Sequence, residues 1–408
     1  MTPRYFINTF ETKCKKNLIN IVHTVKPIYA WENIYGIFVF RIKNGELKSP
    51  NWKMKTFGMV FITGYITLFF STLSLPTAIT GTKKIVDFVD EVPGIVIIIQ
   101  YVTSAITSSF LVDATNISLL TAFAELDTML RVETSTNFYK KSFSQTIKYV
   151  VFLLVTHAIN GVADFVTSDE LSFSSLVALP LYLLQKLKIV AFCKMIIMLK
   201  DRLSLVNNYV STFVEEQEKK NVTIFTIRDT KVATKEKFNF IGRASDTNLK
   251  IRDLATMYDL IGKICAMINE VFNFQIFMTL LFTFIYIVLT IWTSLYYYRQ
   301  PDGYSGPLIN IAIWCFSAIY TVAMMSLACE RLLLVRNESK VLINKVIMNY
   351  DLPKTMRVQS KAFMELVEAW PLRIYIYDMF SVDITLMLKF ISVATTYLIV
   401  IIQISHFV

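Results

Sequence analysis

Long apolar stretches recur along this 408-residue chain and constrain its fold more than any other feature. An α-helix needs about 20 mainly apolar residues to cross a bilayer core of roughly 30 Å, and seven stretches meet this requirement. The predicted spans are Phe57–Ile79, Gly94–Val112, Ile147–Val166, Ser175–Leu199, Phe272–Tyr298, Leu308–Leu332 and Val382–Phe407. The composition agrees, because 54% of the residues are hydrophobic and only 18% are charged. The sequence therefore predicts an all-α membrane protein with seven transmembrane helices.

Lysine and arginine are concentrated in alternate connections, which predicts the orientation of these helices. The segment before the first span and the second, fourth and sixth connections are rich in basic residues. The other connections are poor in cations, and in the first of them Lys83 and Lys84 are balanced by acidic residues. Because basic residues near helix ends stay in the cytoplasm, we expect a cytoplasmic N-terminus and an extracellular C-terminus. This orientation is opposite to that of a G-protein-coupled receptor.

The formal net charge of +10 comes largely from these basic connections. The charges are neither gathered into one patch nor interleaved with aromatic residues on a polar domain, so we expect no nucleic-acid partner. The sequence contains no GxSxG, Walker loop or HExxH motif, and its five cysteines and three histidines lack metal-ligand spacing. We therefore expect no enzymatic activity, no metal site and no cofactor, with the lipid bilayer as the main surrounding partner.

The chain divides into an N-terminal segment and one helical domain. Residues 1–56 form a predicted cytoplasmic segment, in which Ile28–Ile42 is too short and too charged to span and indicates an interfacial helix. An eighth spanning helix at that position is the alternative. Residues 57–408 form the transmembrane domain. Apolar residues continue at helical spacing beyond the spans, so we expect helices four to six to extend into the cytoplasm, with anchor regions at about residues 200–271 and 333–381.

Polar and aromatic side chains near the outer ends of spans three to six predict a ligand pocket. On span three, three polar residues recur at steps of three and four and therefore share one side of the helix. Aromatic walls with a few polar groups suit a small amphipathic organic molecule. The alternative is that the tryptophans and tyrosines anchor the helices at the membrane surface. The candidate ligand-binding residues are His157, Asn160, Asp164, Trp292, Tyr296, Asn310, Trp314 and Ser317.

The last predicted helix carries one amide, Gln403, in an otherwise apolar segment. Thr396, Val400, Gln403 and Ile404 share one face at three- and four-residue spacing. Several copies of this helix around one axis would form a narrow apolar constriction beside a ring of amides, and such a constriction can gate a pore by dewetting. The alternative is that Gln403 bonds to a neighbouring helix of the same subunit.

The motif TYLIVIIQI, from Thr396 to Ile404, resembles the TYhhhhhQF signature (h, apolar) of insect gustatory receptors, with Ile404 in place of the usual Phe. The MINEVFNFQ stretch from Met267 to Gln275 and the run from Asp378 to Tyr397 look like the same family. Members of this family, with the related odorant receptors, are understood as tetrameric ligand-gated cation channels.

The resemblance implies a homotetramer, with or without other gustatory receptor subunits, in the plasma membrane of gustatory receptor neurons. Residues 57–408 would then be a seven-helix channel domain whose last helix lines a central pore for permeating cations. A small-molecule tastant would bind in the outer half of helices two to six and favour the state in which the constriction is dilated and hydrated. The implied pore and gate residues are Thr396, Tyr397, Val400, Gln403 and Ile404.

Leu398 follows the Thr-Tyr pair at a position where the sugar-sensing branch commonly has an acidic residue. The resemblance therefore favours a non-selective cation channel gated by a bitter or other plant-derived non-sugar compound. A fructose-type sugar-gated channel is the first alternative, because its motif also tolerates an apolar residue there. A G-protein-coupled receptor is a weaker alternative, since the sequence lacks a DRY-like triplet after span three and an NPxxY-like motif in span seven.

Overall fold

The computed structural model describes residues 3–43, 46–72, 82–132, 136–167, 173–227, 251–298 and 305–407, and most of them are helical, as the apolar runs predict. The helices in chain order are α1 Pro3–Ile34, α2 Trp52–Thr72, α3 Thr82–Ile106, α4 Asp113–Met129, α5 Thr136–Thr167, α6 Phe173–Ile227, α7 Ile251–Tyr298, α8 Ser305–Met348, α9 Lys354–Ala369 and α10 Ile384–Phe407. A π-helical turn, Thr107–Leu111, joins α3 to α4. Two short antiparallel hairpins pair β1 (Arg41–Lys43) with β2 (Glu46–Lys48), and β3 (Tyr375–Ile376) with β4 (Phe380–Ser381).

Six helices in the described part of the chain are long and apolar enough to cross a membrane. They are α2, α3 with its π-helical turn, α5, α6, α7 and α8, and they correspond to the first six predicted spans, although residues 73–79 of the first span lie outside the described residues. The seventh predicted span forms α10, which has 24 residues. Its side chains are described without interruption only over Ile384–Tyr397, so the count of seven spans stays a prediction.

Three helices are much longer than a bilayer crossing requires. α6, α7 and α8 contain 55, 48 and 44 residues. At a rise of 1.5 Å per residue, each is about 66 Å long or longer, which is roughly twice the thickness of the hydrocarbon core. All three therefore project beyond a bilayer, and α9 packs against the projecting parts of α7 and α8. That this side is cytoplasmic stays a prediction.

The N-terminal segment differs from the interfacial helix predicted at Ile28–Ile42. The helix ends before Gly36, where a positive φ of 73° allows the chain to turn, and the following residues are extended. Ile37 is completely buried in the core, and an interfacial position of this segment stays a prediction. Glu32, whose charge favoured an interfacial position, is also buried, because it forms an ion pair with Lys188 of α6 at 2.9 Å. The end of α1 is thus part of the helical bundle.

A bidentate ion pair is buried where α4, α5 and α6 meet. Arg202 donates from Nε to Asp127 Oδ1 at 2.7 Å and from Nη2 to Asp127 Oδ2 at 2.6 Å. The Tyr139 hydroxyl donates to Asp127 Oδ2 at 2.8 Å, and the guanidinium lies 4.8 Å from the ring centre of Phe123 and 5.5 Å from that of Phe138. Since both charges are removed from solvent, each depends on the other for compensation. The pair therefore fixes the relative positions of three helices.

Trp370, at the end of α9, connects the projecting parts of α7 and α8. Its indole Nε1 donates to Asp259 Oδ1 at 2.9 Å, and its carbonyl accepts from Arg336 Nε at 3.3 Å. A second hydrogen bond to Asp259, from Lys263, is the main cause of the lowered pKa of that carboxyl, and the indole bond adds to it. The indole ring lies directly on Gly262, where any Cβ atom would overlap it. The absence of a side chain at Gly262 is thus required for this packing.

The MINEVFNFQ stretch of α7 holds the segment that leads into α10. Asn269 Oδ1 accepts the backbone N–H of Tyr375, and Asn273 Oδ1 accepts that of Tyr377, both at 3.1 Å. The two asparagines are four residues apart and therefore share one face of the helix. They bind the backbone of β3 and of the turn after it, so this stretch positions the start of the last helix.

Candidate functional site

α5, α6 and α8 line a cavity of about 590 Å³, which is within the usual range for small-molecule sites. Its walls are mainly apolar, and their aromatic members are Tyr149, Phe152, Phe316 and Tyr320. Several wall side chains also reach the outer surface of the bundle, and that of Phe316 is 74% exposed. The cavity is therefore accessible from the surface that a spanning bundle presents to lipid.

Polar groups from three helices meet on one wall of the cavity. The Ser317 hydroxyl of α8 accepts a hydrogen bond from Lys186 Nζ of α6 at 2.7 Å and another from Asn160 Nδ2 of α5 at 3.3 Å. The Lys186 ammonium also lies 5.0 Å from the ring centre of Trp314, a distance at which a cation is attracted to the ring face. An apolar cavity with a few convergent polar groups is the usual form of a ligand site.

Asp164 lies one helical turn from Asn160 and ties α5 to α8. Its Oδ1 atom accepts from Asn310 Nδ2 at 2.7 Å and from Trp314 Nε1 at 2.8 Å. The Trp314 indole, buried to 8% exposure, is thus held at its nitrogen by a carboxylate and faces Lys186 with its ring. This carboxylate therefore fixes the indole ring that lies beside Lys186.

A small recess lies next to the larger cavity and is lined by Lys186 and Trp314. It is lined by aromatic rings of α6 and α7, and the ring of Tyr182 is centred 5.1 Å from that of Trp314. Tyr286 of α7 lies farther away, with ring centres 6.4 Å apart. Lys186 and Thr321 line both this recess and the larger cavity, so their side chains lie between the two spaces.

The structure brings five of the predicted ligand-binding residues into two hydrogen-bonded sets that meet at Lys186. The first set is Asn160 with Ser317, and the second is Asp164 with Asn310 and Trp314. His157 is buried on α5 but does not line the cavity, and its Nδ1 atom has no hydrogen-bond partner among the described residues. Trp292 is partly buried on α7 and is also absent from the cavity wall. The side chain of Tyr296 lies outside the described residues. Whether any of the eight contacts a ligand stays a prediction.

Three lysines inside the predicted span Ser175–Leu199 were missed as candidate site residues. Lys186, Lys188 and Lys194 are all buried on α6. Lys188 pairs with Glu32 and also donates to the hydroxyl of Ser108, whereas Lys194 donates to Ser142. A charged residue within a span is energetically costly and commonly functional. Three lysines in one apolar stretch therefore indicate candidate functional positions in the sequence.

α10 presents most of its surface outward within the single chain. Thr396, Tyr397, Val400 and Gln403 are exposed, and Val400 retains 42% exposure. The side chain of Ile404, the remaining predicted gate residue, lies outside the described residues. An apolar helix that leaves such a face uncovered needs either lipid or further protein against it.

The start of α10 is fixed by Asp383. Its Oδ1 atom accepts the backbone N–H groups of Thr385 at 2.9 Å and of Leu386 at 3.3 Å, which satisfies donors that a helix start leaves free. Farther along, the ring of Tyr397 meets Phe284 of α7 edge-on, with ring centres 5.3 Å apart. α10 is therefore attached to the bundle on one side and exposed on the other.

Comparison with known proteins identifies the family. The model of the 7tm chemosensory receptor family matches residues 26–406. Two structures of the insect olfactory receptor OR5 from Machilis hrabei are similar to this fold at 12% sequence identity, and each comparison covers 95% of this chain and 100% of the other. The TM-score is 0.62 for the receptor in complex with eugenol and 0.64 for the other structure. No curated protein matches the sequence. The family resemblance that the C-terminal motif indicates is thus confirmed, and the chain belongs to the 7tm chemosensory receptor family.

Proposed function

We propose that this protein is a gustatory receptor that acts as a tastant-gated, non-selective cation channel in the plasma membrane of gustatory receptor neurons. The observation that carries this proposal is the uncovered face of α10, which includes Thr396, Val400 and Gln403. The same face contains the motif that resembles the pore signature of insect gustatory receptors. In a homotetramer, four such faces would surround one axis and exclude lipid from it.

The gate in this proposal is the ring of Val400 side chains. A narrow ring of apolar side chains loses its water and blocks ions. The amides of Gln403, on the same face, can form hydrogen bonds with water in the pore. The N-terminus and the projecting ends of α6, α7 and α8 lie in the cytoplasm in this arrangement, in agreement with the distribution of basic residues.

The tastant site in this proposal is the cavity between α5, α6 and α8. Its volume and its largely apolar walls suit a small organic molecule, and the similar OR5 receptor was determined in complex with eugenol. Because Leu398 replaces the acidic residue common in the sugar-sensing branch, the ligand is a bitter or other plant-derived compound rather than a sugar.

Contacts that connect the cavity to α10 support a route for gating. Ser317 lies in the cavity wall, and two residues before it Cys315 lies 3.0 Å from the Thr290 hydroxyl of α7. On the same helix, Phe284 meets Tyr397 of α10. A ligand that binds more tightly when α8 is in one position would favour that position. The positions of α7 and α10, which pack on one another and on α8, would shift with it.

Patch-clamp recording of the protein expressed alone tests this proposal. A panel of tastants is applied while G-protein signalling is blocked, and the expected result is a cation current that persists under the block. Val400→Ala widens the proposed constriction and is expected to raise the current without ligand. Val393→Ala is the matched control, because Val393 lies on the same face outside the proposed gate. A response that disappears when G-protein signalling is blocked would contradict the channel mechanism.

A further inference from the structure

The three buried lysines of α6 differ in how their charges are compensated. Lys188 has an acidic partner, Glu32, at 2.9 Å. Lys194 has no carboxylate partner among the described residues, but its ammonium donates to both the carbonyl and the hydroxyl of Ser142, each at 2.9 Å. Lys186 is the member of this group that lines the 590 Å³ cavity. Its charge therefore faces a space that a ligand can occupy.

Among the described residues, the partners of the Lys186 ammonium do not use all of its hydrogen-bonding capacity. An ammonium carries three N–H donors, of which one reaches Ser317 at 2.7 Å. The ring of Trp314 attracts the charge but accepts no conventional hydrogen bond. Within the described ranges, no carboxylate lies within ion-pair distance of Lys186. The charge of Asp164 acts on the ammonium from farther away, and the Asp164 Oδ1 atom already accepts from two donors of α8. A buried cation in this state is stabilised by an anion placed in the cavity.

We propose that this cavity binds an amphipathic carboxylic acid, with its carboxylate hydrogen-bonded to Lys186. This inference rests on the proposed receptor function and names the chemical class of its ligand. Asn160 and Ser317 lie beside Lys186 and can bond to the second carboxylate oxygen, because the Ser317 hydroxyl also has a proton to donate. A neutral alcohol of equal size would use the same pocket without the charge-assisted bond, which is roughly twice as strong as a neutral one.

The apolar part of the ligand fits the rest of the cavity. Phe152, Phe316 and Tyr320 supply aromatic surface along the wall, and Ile159 and Phe316 also reach the outer surface of the bundle, with 55% and 74% exposure. A chain or ring system attached to the carboxylate can therefore enter from the bilayer side. The bond to Lys186 requires a carboxylate on the ligand, whereas the apolar walls accept apolar groups of different shapes.

Binding to the full-length protein in nanodiscs of uncharged phosphatidylcholine tests this inference. The probe is tritiated dodecanoate, and the competitors are unlabelled dodecanoate and dodecan-1-ol. We expect saturable binding that dodecanoate displaces with at least about 10-fold greater potency than the alcohol, as a charge-assisted hydrogen bond requires. Lys186→Gln is expected to weaken dodecanoate binding by about 10-fold or more, whereas Lys186→Arg, which keeps the cation, retains it.

A matched control is Lys200→Gln, which removes a lysine of the same helix that pairs with Asp201 away from the cavity. This variant is expected to bind dodecanoate as the wild type does. Equal potency of dodecanoate and dodecan-1-ol on the wild-type protein would overturn the inference even if no Lys186 variant folds. Unchanged dodecanoate affinity in Lys186→Gln would overturn it as well.

The source of the acid is distinguished by repeating the measurement with phosphatidylglycerol in the nanodisc. If phosphatidylglycerol displaces dodecanoate and this displacement depends on Lys186, the occupant is an anionic lipid head group. That result would contradict a carboxylic acid ligand. If phosphatidylglycerol does not displace dodecanoate, a free carboxylic acid is supported as the ligand. Binding that depends on Lys186 in a protein that passes no tastant-evoked current would support the inference while refuting the proposed channel. Robust tastant-evoked currents in a protein that does not bind dodecanoate would support the proposed channel and refute this inference.

Discussion

Gly262 offers the sharpest test of how the projecting helices are held together. A Cβ atom at this position would overlap the Cγ and Cδ2 atoms of Trp370 and lie 2.8 Å from Cδ1. The indole cannot move away freely, because its nitrogen donates to Asp259 at 2.9 Å and the Trp370 carbonyl accepts from Tyr258 at 3.1 Å and from Arg336 at 3.3 Å. Gly262→Ala must therefore break these bonds or force the helices apart.

The expected magnitude follows from two opposing effects. Overpacking a tightly packed site costs about 1–3 kcal/mol, whereas replacing glycine by alanine inside a helix gains about 0.5–1 kcal/mol. We therefore expect Gly262→Ala to destabilise the protein by about 1–2 kcal/mol. Gly64, in α2, has no atom within 4 Å of a built Cβ, so Gly64→Ala keeps only the gain and is the matched control.

Scanning fluorimetry of the detergent-solubilised protein measures this difference. Gly262→Ala is expected to lower the melting temperature by about 1–3 °C relative to the wild type, and Gly64→Ala to leave it unchanged or raise it slightly. Trp370→Leu should also lower it, but adding Gly262→Ala to that variant should cost much less than it does alone, because the overlapping ring is gone. Equal melting temperatures for Gly262→Ala and Gly64→Ala would refute the packing argument.

Three further predictions concern charges in the bundle. Asp127→Asn leaves the buried Arg202 without a counter-charge, so we expect a loss of about 3–5 kcal/mol and little monodisperse protein in size-exclusion chromatography, with partial recovery when Arg202→Met is added. Asp383→Ala removes the cap of α10 at a cost of about 1 kcal/mol, and should shift the tastant dose–response curve while leaving surface expression intact. Lys389 is exposed, carries a positive charge and shares a face with Val400; Lys389→Gln should increase single-channel cation conductance about two-fold, whereas Lys389→Arg should leave it unchanged.

The helix pattern was largely readable from the sequence, because spanning helices must be long and apolar whatever their neighbours are. Helical spacing also placed Asn160 and Asp164 on one face of α5, and the structure puts both against α8. Which helix would stand opposite could not be derived, since a periodic pattern describes one helix and carries no information about its partner. The bonds of Asp164 to Asn310 and Trp314 are therefore a structural finding.

Charged residues were harder to interpret from the sequence, because a charge usually indicates contact with water. Glu32 favours an interfacial position on that basis, and local composition gives no role to Lys186 or Lys188 inside an apolar run. The structure shows Glu32 and Lys188 compensating one another within the bundle, with Ser108 as a second acceptor for the lysine. Residues 156 positions apart in the chain cannot be paired from local composition. A buried charge is visible in a sequence, but its partner is visible only in the fold.

The distance along the chain between Glu32 and Lys188 also imposes an order on biosynthesis. α1 is translated long before α6, so the carboxylate has no partner until six helices of this fold have left the ribosome. A lysine near the middle of a membrane segment costs about 2.5–3.5 kcal/mol on insertion, and this cost is relieved when the waiting carboxylate reaches it. A chain truncated ahead of α6 would display an unpaired Glu32 at the end of a long helix. Completion of this ion pair therefore joins the first helix to the sixth while α7, α8 and α10 are still to be made.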